Sequence, residues 1–191
     1  MKRAIIVHCW EGNPEYYWYP YVKKELEARG INVSVPAFPD TNNPRQDIWV
    51  PFLAKIIGVP DADLYLIGHS IGCATILRYL ENLKVNEKVG GVLFVAGFTE
   101  DIGFEEINNF FGSPFDFAKI KSSSKNGFVS VYSDNDPFVD MRFAEIFKKE
   151  LGAKTILKHN MGHFSGPIND EKSCAELPDI IENLLELSNK S

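Results

Sequence analysis

No run of apolar residues in this sequence is long enough to cross a bilayer. The longest, residues 89–98, is about half the span a helix needs and carries three glycines. Basic residues never occur in blocks longer than a pair, and 20 Lys+Arg against 26 Asp+Glu leave a formal charge of -6. Neither nucleic acid nor insertion into a membrane is therefore expected. Cysteine is scarce: Cys9, Cys73 and Cys174 are odd in number and lack CxxC spacing, which excludes a disulfide framework and a thiolate metal site. The cytoplasm is the expected compartment. Met1-Lys2-Arg3 opens like a leader, but the apolar run 4–7 stops at His8, so a soluble, unprocessed chain is expected.

What the sequence does contain is a core. Of 191 residues 45% are hydrophobic, enough for one domain spanning 1–191. Short apolar runs at RAIIVH, INVSV, DLYLIG, VGGVLFVAG, GFVSVYS and AKTILKH alternate with stretches of helical period. Several of these runs are continuous rather than alternating, as in strands covered on both faces. The rhythm predicts an α/β fold, a doubly wound, mostly parallel sheet with helices on both faces. Pro20 and Pro178 sit at helix starts and Gly30 just past a helix end. Leu177, Ile180, Ile181, Leu184 and Leu185 give the last helix one apolar face. Residues 99–114 hold Phe104, Phe110 and Phe111 without a period and predict either a short lid or surface packing, with a small helix at 115–120.

Gly68-His69-Ser70-Ile71-Gly72 fits G-x-S-x-G between a predicted strand at 64–67 and a predicted helix at 71–83. In such a turn the serine is strained, and side chains two positions either side would collide, hence glycine at both. Its hydroxyl is lifted onto the carboxyl edge of the sheet, where a helix N-terminus favours a developing oxyanion. A serine needs a base to take its proton, and the base needs a carboxylate to fix its tautomer. In the order Ser, acid, His, each follows a later strand. The loop after strand 128–132 offers Asp134 and Asp136, and the loop after strand 154–158 offers His159 and His163.

The chain resembles the small, nearly lidless α/β-hydrolases that include retinoblastoma-binding protein 9 and its bacterial relatives. The resemblance runs through the turn at residues 8–10, Tyr17-Trp18-Tyr19-Pro20, Ile48-Trp49-Val50-Pro51-Phe52, Gly68-His69-Ser70, Asp136-Pro137-Phe138 and Gly162-His163-Phe164. It implies a minimal fold with little or no cap, Ser70 as nucleophile, Asp136 as acid, directly before the proline, and His163 as base. The backbone amide of Ile71 is one expected oxyanion donor, and by resemblance that of Trp10 is the other. Cys9 stands where many relatives have glycine, so strain or a rebuilt loop is expected there. Cys9 and Cys73 are not expected as nucleophiles. His69 is expected to pack or to make a surface hydrogen bond, and His8 to brace the oxyanion loop.

An esterase-type serine hydrolase follows, acting on small or short-acyl substrates in an open, shallow pocket, without metal or cofactor. The aromatic loops 10–19 and 104–111 are its expected walls. Two other readings use the same residues: an amide hydrolase, and a binding module that no longer turns over substrate. No protein partner is legible. A Leu-x-Cys-x-Glu segment for the retinoblastoma protein is missing, because Lys172 precedes Ser173-Cys174-Ala175-Glu176 where leucine is required.

Overall fold

The computed structural model describes residues 1–165 and 174–190, so Lys172 lies outside the described residues. Strands β1 (Arg3–Val7), β2 (Asn32–Ser34), β3 (Leu64–His69), β4 (Gly91–Val95), β5 (Phe128–Ser133) and β6 (Lys154–Lys158) form one sheet in the order β2-β1-β3-β4-β5-β6. Each of the six apolar runs is a strand, and every pairing among the described strands is parallel. The helices are α1 (Tyr19–Glu27), α2 (Gln46–Ile57), α3 (Ile71–Glu81), α4 (Phe117–Ser122), α5 (Arg142–Ile146) and α6 (Pro178–Ser188). A 3₁₀ turn covers Asn108–Phe111, and a π-helical turn over Phe147–Leu151 prolongs α5.

The continuous apolar runs conceal a period of two. Ile5, Val7, Leu64, Leu66, Val92 and Phe94 face the core shared with α2, α3, α4 and α5. Ala4, Ile6, Tyr65, Ile67, Leu93 and Val95 face the opposite core, shared with α1 and α6. Both faces are covered, so both sets must be apolar. In α6 the buried apolar positions are Ile180, Ile181, Leu184 and Leu187, while Leu185 is only partly buried.

Residues 99–114 are neither a detached lid nor mere surface packing. Phe110 is fully buried and edge-on to Trp49 of α2 at 6.4 Å. Arg78 of α3, only 1% exposed, reaches across to this segment. Its Nε and Nη2 donate to the Phe110 carbonyl at 2.9 and 2.8 Å, and Nη2 also donates to the Ser113 carbonyl. Nη1 pairs with Glu81 at 2.9 Å, and the guanidinium lies 3.9 Å from the centre of the Phe115 ring. A buried charge is tolerated only when paired and hydrogen-bonded in this way.

The chain leaves β1 toward one side of the sheet and β3 toward the other, so a crevice opens at the carboxyl ends of these two neighbours. Here α3 starts very close to β1. A Cβ at Gly72 would stand 2.2 Å from the Val7 carbonyl oxygen and 2.8 Å from that of His8, and one at Gly68 would meet the Cys73 backbone at 2.8 Å. These are backbone collisions that no side-chain rotation relieves. Gly72→Ala should therefore lower the unfolding free energy by about 3 kcal/mol or more. Gly112→Ala, in open space at φ -64, should change it by less than about 0.5 kcal/mol. Urea denaturation of both variants checks the pair, and an unshifted Gly72→Ala midpoint would contradict the packing described.

Candidate active site

Ser70 joins β3 to α3 at φ 55 and ψ -122, a conformation costly for a residue with a Cβ. The turn is pinned from both sides: Ser70 N–H donates to the Val95 carbonyl, and the Ser70 carbonyl accepts from Cys73 N–H, each at 2.9 Å. Ile71 is the first residue of α3, so its N–H has no carbonyl one turn earlier in the helix.

The Ser70 Oγ lies 2.9 Å from His163 Nε2, and His163 Nδ1 lies 2.9 and 3.1 Å from the two oxygens of Asp136. A carboxylate only accepts, so the neutral ring carries its proton on Nδ1 and turns the Nε2 lone pair to Ser70. Asp136 Oδ1 also accepts from the Phe138 and Val139 amides at 2.9 and 3.0 Å. The Asp136 side chain is 2% exposed, so its charge acts on the imidazole with little solvent screening.

The two alternatives raised by the sequence pair with each other. His159 Nδ1 is 2.5 Å from Asp134 Oδ2, and Asp134 Oδ1 accepts from Asn160 N–H at 3.0 Å. With side chains 73% and 40% exposed, this pair faces solvent. The contact with His159 holds the Asp134 carboxyl below its ordinary range.

Reasoning from sequence missed the clasp between the acid and base loops. Ser133 Oγ donates to Asn135 Oδ1 at 2.8 Å and accepts from Met161 N–H at 3.0 Å. Asn135 Oδ1 accepts a further bond from Gly162 N–H at 2.8 Å. Short polar side chains on both flanks of a candidate acid were the available signal.

The loop after β1 departs from the expectation of strain at Cys9. Among non-glycine residues of this loop, Glu11 at φ 55 and Tyr17 at φ 56 take positive φ instead. The Gly12 amide then donates to the Cys9 carbonyl at 3.1 Å. His8 is fully buried, accepts at Nε2 from Phe38 N–H at 3.1 Å and donates from Nδ1 to the Cys9 carbonyl at 2.8 Å. Burial keeps its pKa below the ordinary range, so it remains a neutral brace. Trp10 Nε1 donates to the Asn42 carbonyl at 3.0 Å. Neither the Trp10 amide nor the Ile71 amide donates to a protein acceptor among the described residues.

His69 is not on the surface. It continues the parity of Tyr65 and Ile67, which places it fully buried on the α1 face, 2.6 Å from the Tyr19 hydroxyl.

Ser70 and His163 are each 8% exposed, so they floor a cleft rather than an open, shallow pocket. The cleft holds about 240 Å³. Trp10, Tyr17, Phe104 and Phe138 wall it together with Ile102 and Ile107. The rings follow one another from the floor upward: Phe138 against His163 at 5.2 Å, Phe104 against Phe138 at 6.0 Å, Trp10 against Phe104 at 5.6 Å. Of the expected walls, Tyr16, Trp18, Tyr19, Phe110 and Phe111 do not line the cleft: Trp18 and Tyr19 are buried in the core shared with α1, and the rings of Phe110 and Phe111 turn against Trp49 and Phe98. Glu11 brings a carboxylate to the cleft, and no lysine or arginine lines it among the described residues.

Cys9 also lines this cleft, but burial pushes its thiol up to about 11 and that of Cys174 to about 11, and raises Cys73 as well. At pH 8 about a thousandth of Cys9 is then thiolate, the reactive form. Iodoacetamide should leave the native protein unmodified over minutes at pH 8 and add three groups after denaturation, as read by intact mass. A rapid native adduct on Cys9 would contradict its inert environment.

Residues 4–185 match the family described as serine hydrolase. YdeN of Bacillus subtilis is 29% identical over 164 residues, covering 85% of this chain and 86% of that protein. The crystal structure of the ydeN gene product superimposes with a TM-score of 0.92 over the full length of both chains at 26% identity. Serine hydrolase RBBP9 of Rattus norvegicus is 29% identical over 150 residues, 77% of each chain. A carboxylesterase structure from Nitrososphaera gargenis shares the fold, with a TM-score of 0.72 over 98% of this chain and 90% of that one at 12% identity. With a match across almost its whole length and the same parallel α/β framework, the chain belongs to the serine hydrolase family.

Proposed function

We propose that this chain, acting as one domain, hydrolyses small or short-acyl esters and thioesters through an acyl-enzyme on Ser70. The observation that carries the reading is the run of contacts from Ser70 Oγ to His163 Nε2 at 2.9 Å and from His163 Nδ1 to Asp136 at 2.9 Å. Ser70 Oγ attacks the substrate carbonyl carbon while its proton passes to His163 Nε2. The carbonyl π electrons move onto oxygen, where the Ile71 and Trp10 amides stabilise the charge. The tetrahedral intermediate collapses as His163 returns the proton to the leaving group. Water then attacks the ester on Ser70, losing a proton to His163, and as this second intermediate collapses His163 returns that proton to Ser70 Oγ and the acid leaves. Asp136 stays ionised, holding the ring and balancing the imidazolium.

Substrate size follows from the cleft: about 240 Å³ bounded by Trp10, Phe104 and Phe138 suits a short acyl chain and a compact leaving group. Amide hydrolysis would use the same residues and differs only in how early His163 must protonate the poorer leaving group.

A fluorophosphonate should add once to the wild-type protein, and not to Ser70→Ala or His163→Ala, by intact mass. No adduct on folded wild-type protein would favour a binding module over an enzyme. Asp136→Asn should fold normally and lose about 10³- to 10⁴-fold in kcat. Asp134→Asn, which breaks an exposed pair, should lose less than about 3-fold. Assays with p-nitrophenyl acetate, butyrate and decanoate should rank the first two far above the third.

A further inference from the structure

We propose that Tyr19 and His69 are positioning residues that tie the backbone of His163 to the loop carrying the Trp10 amide. The proposal rests on the roles given above to His163 and Trp10. Four groups form one chain: Cys9 N–H donates to Tyr19 Oη at 3.2 Å, Tyr19 Oη–H to His69 Nδ1 at 2.6 Å, and His69 Nε2–H to the His163 carbonyl at 2.8 Å. Cys9 follows β1, His69 ends β3 and His163 follows β6, so the chain joins the loops after β1 and β6 through the end of β3.

The direction of every bond is forced. An amide can only donate and a carbonyl can only accept, so both ends of the chain are fixed. Tyr19 has one proton, and having accepted from Cys9 it gives that proton to His69. His69 must then carry its own proton on Nε2. One arrangement of protons satisfies all four groups, and flipping the ring or moving its proton breaks at least one bond.

Tyr19 and His69 are fully buried, and Cys9 is 5% exposed. Water cannot replace a lost partner here, so the arrangement is held by the cost of leaving a buried polar group unpaired. Burial pushes the His69 pKa down to about 3, keeping the ring in the neutral form that the arrangement needs. The His69 ring also lies 5.3 Å from that of His163, tilted by 36°, so it supports the imidazole as well as its backbone. A small displacement of either loop would separate His163 from Ser70 or turn the Trp10 amide from the oxyanion. Such a misplacement alters the reacting geometry far more than substrate binding.

The test compares Tyr19→Phe, His69→Gln and His69→Leu with wild type on p-nitrophenyl acetate. Rates are divided by the sites titrated with fluorophosphonate, so unfolded molecules do not count. Tyr19→Phe keeps the ring and removes both bonds of its hydroxyl; kcat per titrated site should fall about 10-fold or more with KM within twofold. His69→Gln retains an N–H for the His163 carbonyl and should exceed His69→Leu. An unchanged kcat in Tyr19→Phe, a loss carried wholly by KM, or equal rates in the two His69 variants would overturn the proposal. Imidazole ¹⁵N spectra keep this test separate from that of hydrolysis, because they report the chain whether or not the protein reacts with ester. Wild-type His69 should be protonated on Nε2 alone, and the His163 ring signals should shift in Tyr19→Phe. A His69 proton on Nδ1, or unmoved His163 signals, would overturn the proposal.

Discussion

The first turn of α3 lies against the end of β1 at a distance that leaves no room for a single methyl group. A Cβ at Gly72 would sit 2.2 Å from the Val7 carbonyl oxygen. From this contact follow the sharp reversal at Ser70, its left-handed backbone and the placing of the Ile71 amide beside the loop that begins at His8. The strain at Ser70 persists because parallel strands on either side and the Val95 carbonyl fix the turn from outside. A helix packed one ångström farther away would relax the serine and separate the two loops of the crevice.

Electrostatics in the crevice are governed by how completely each charge is enclosed. Asp136 and Asp134 are two residues apart and chemically identical, yet their surroundings assign them different work. The first has two backbone amides and an imidazole around a carboxylate shut off from solvent. The second meets its histidine in water, where attraction is weakened by the dielectric and by salt. The rings of Trp10, Phe104 and Phe138 extend the dry environment outward from His163. Charge developing on a bound carbonyl there would be met by fixed dipoles rather than by mobile water.

Much of this was legible in the sequence because it is written locally. The six strands are contiguous apolar runs, and the turn at Ser70 has its glycines within two residues. Loop order alone narrowed the acid and base to two residues each. Choosing between them drew on Pro137 and Gly162, neighbours that shape loops; the contacts that reach Ser70 Oγ run through His163 to Asp136. Features made by distant residues were hidden. Nothing in the sequence around Cys9 says that Glu11 rather than Cys9 takes positive φ, since that depends on where Thr41 and His8 take up the loop's backbone groups. For His69 the two expectations were packing or a surface hydrogen bond; its parity with Tyr65 and Ile67 selects packing, while its partners Tyr19 and His163, distant in sequence, were hidden. Phe110 and Phe111 face inward because Arg78, some thirty residues earlier, draws in the backbone between them and Ser113.

Arg78 holds that segment only by main-chain oxygens, those of Phe110 and Ser113. Every amino acid supplies a carbonyl, so these bonds do not depend on which side chains the segment carries. Ile102 and Phe104, which line the cleft just upstream and are only partly buried, can thus change without breaking these bonds, whereas Ile107 also belongs to the buried core. The lining of the cleft can diverge among descendants of this chain by exchanging those two residues, while the guanidinium, the sheet and the strained serine remain a constant chassis.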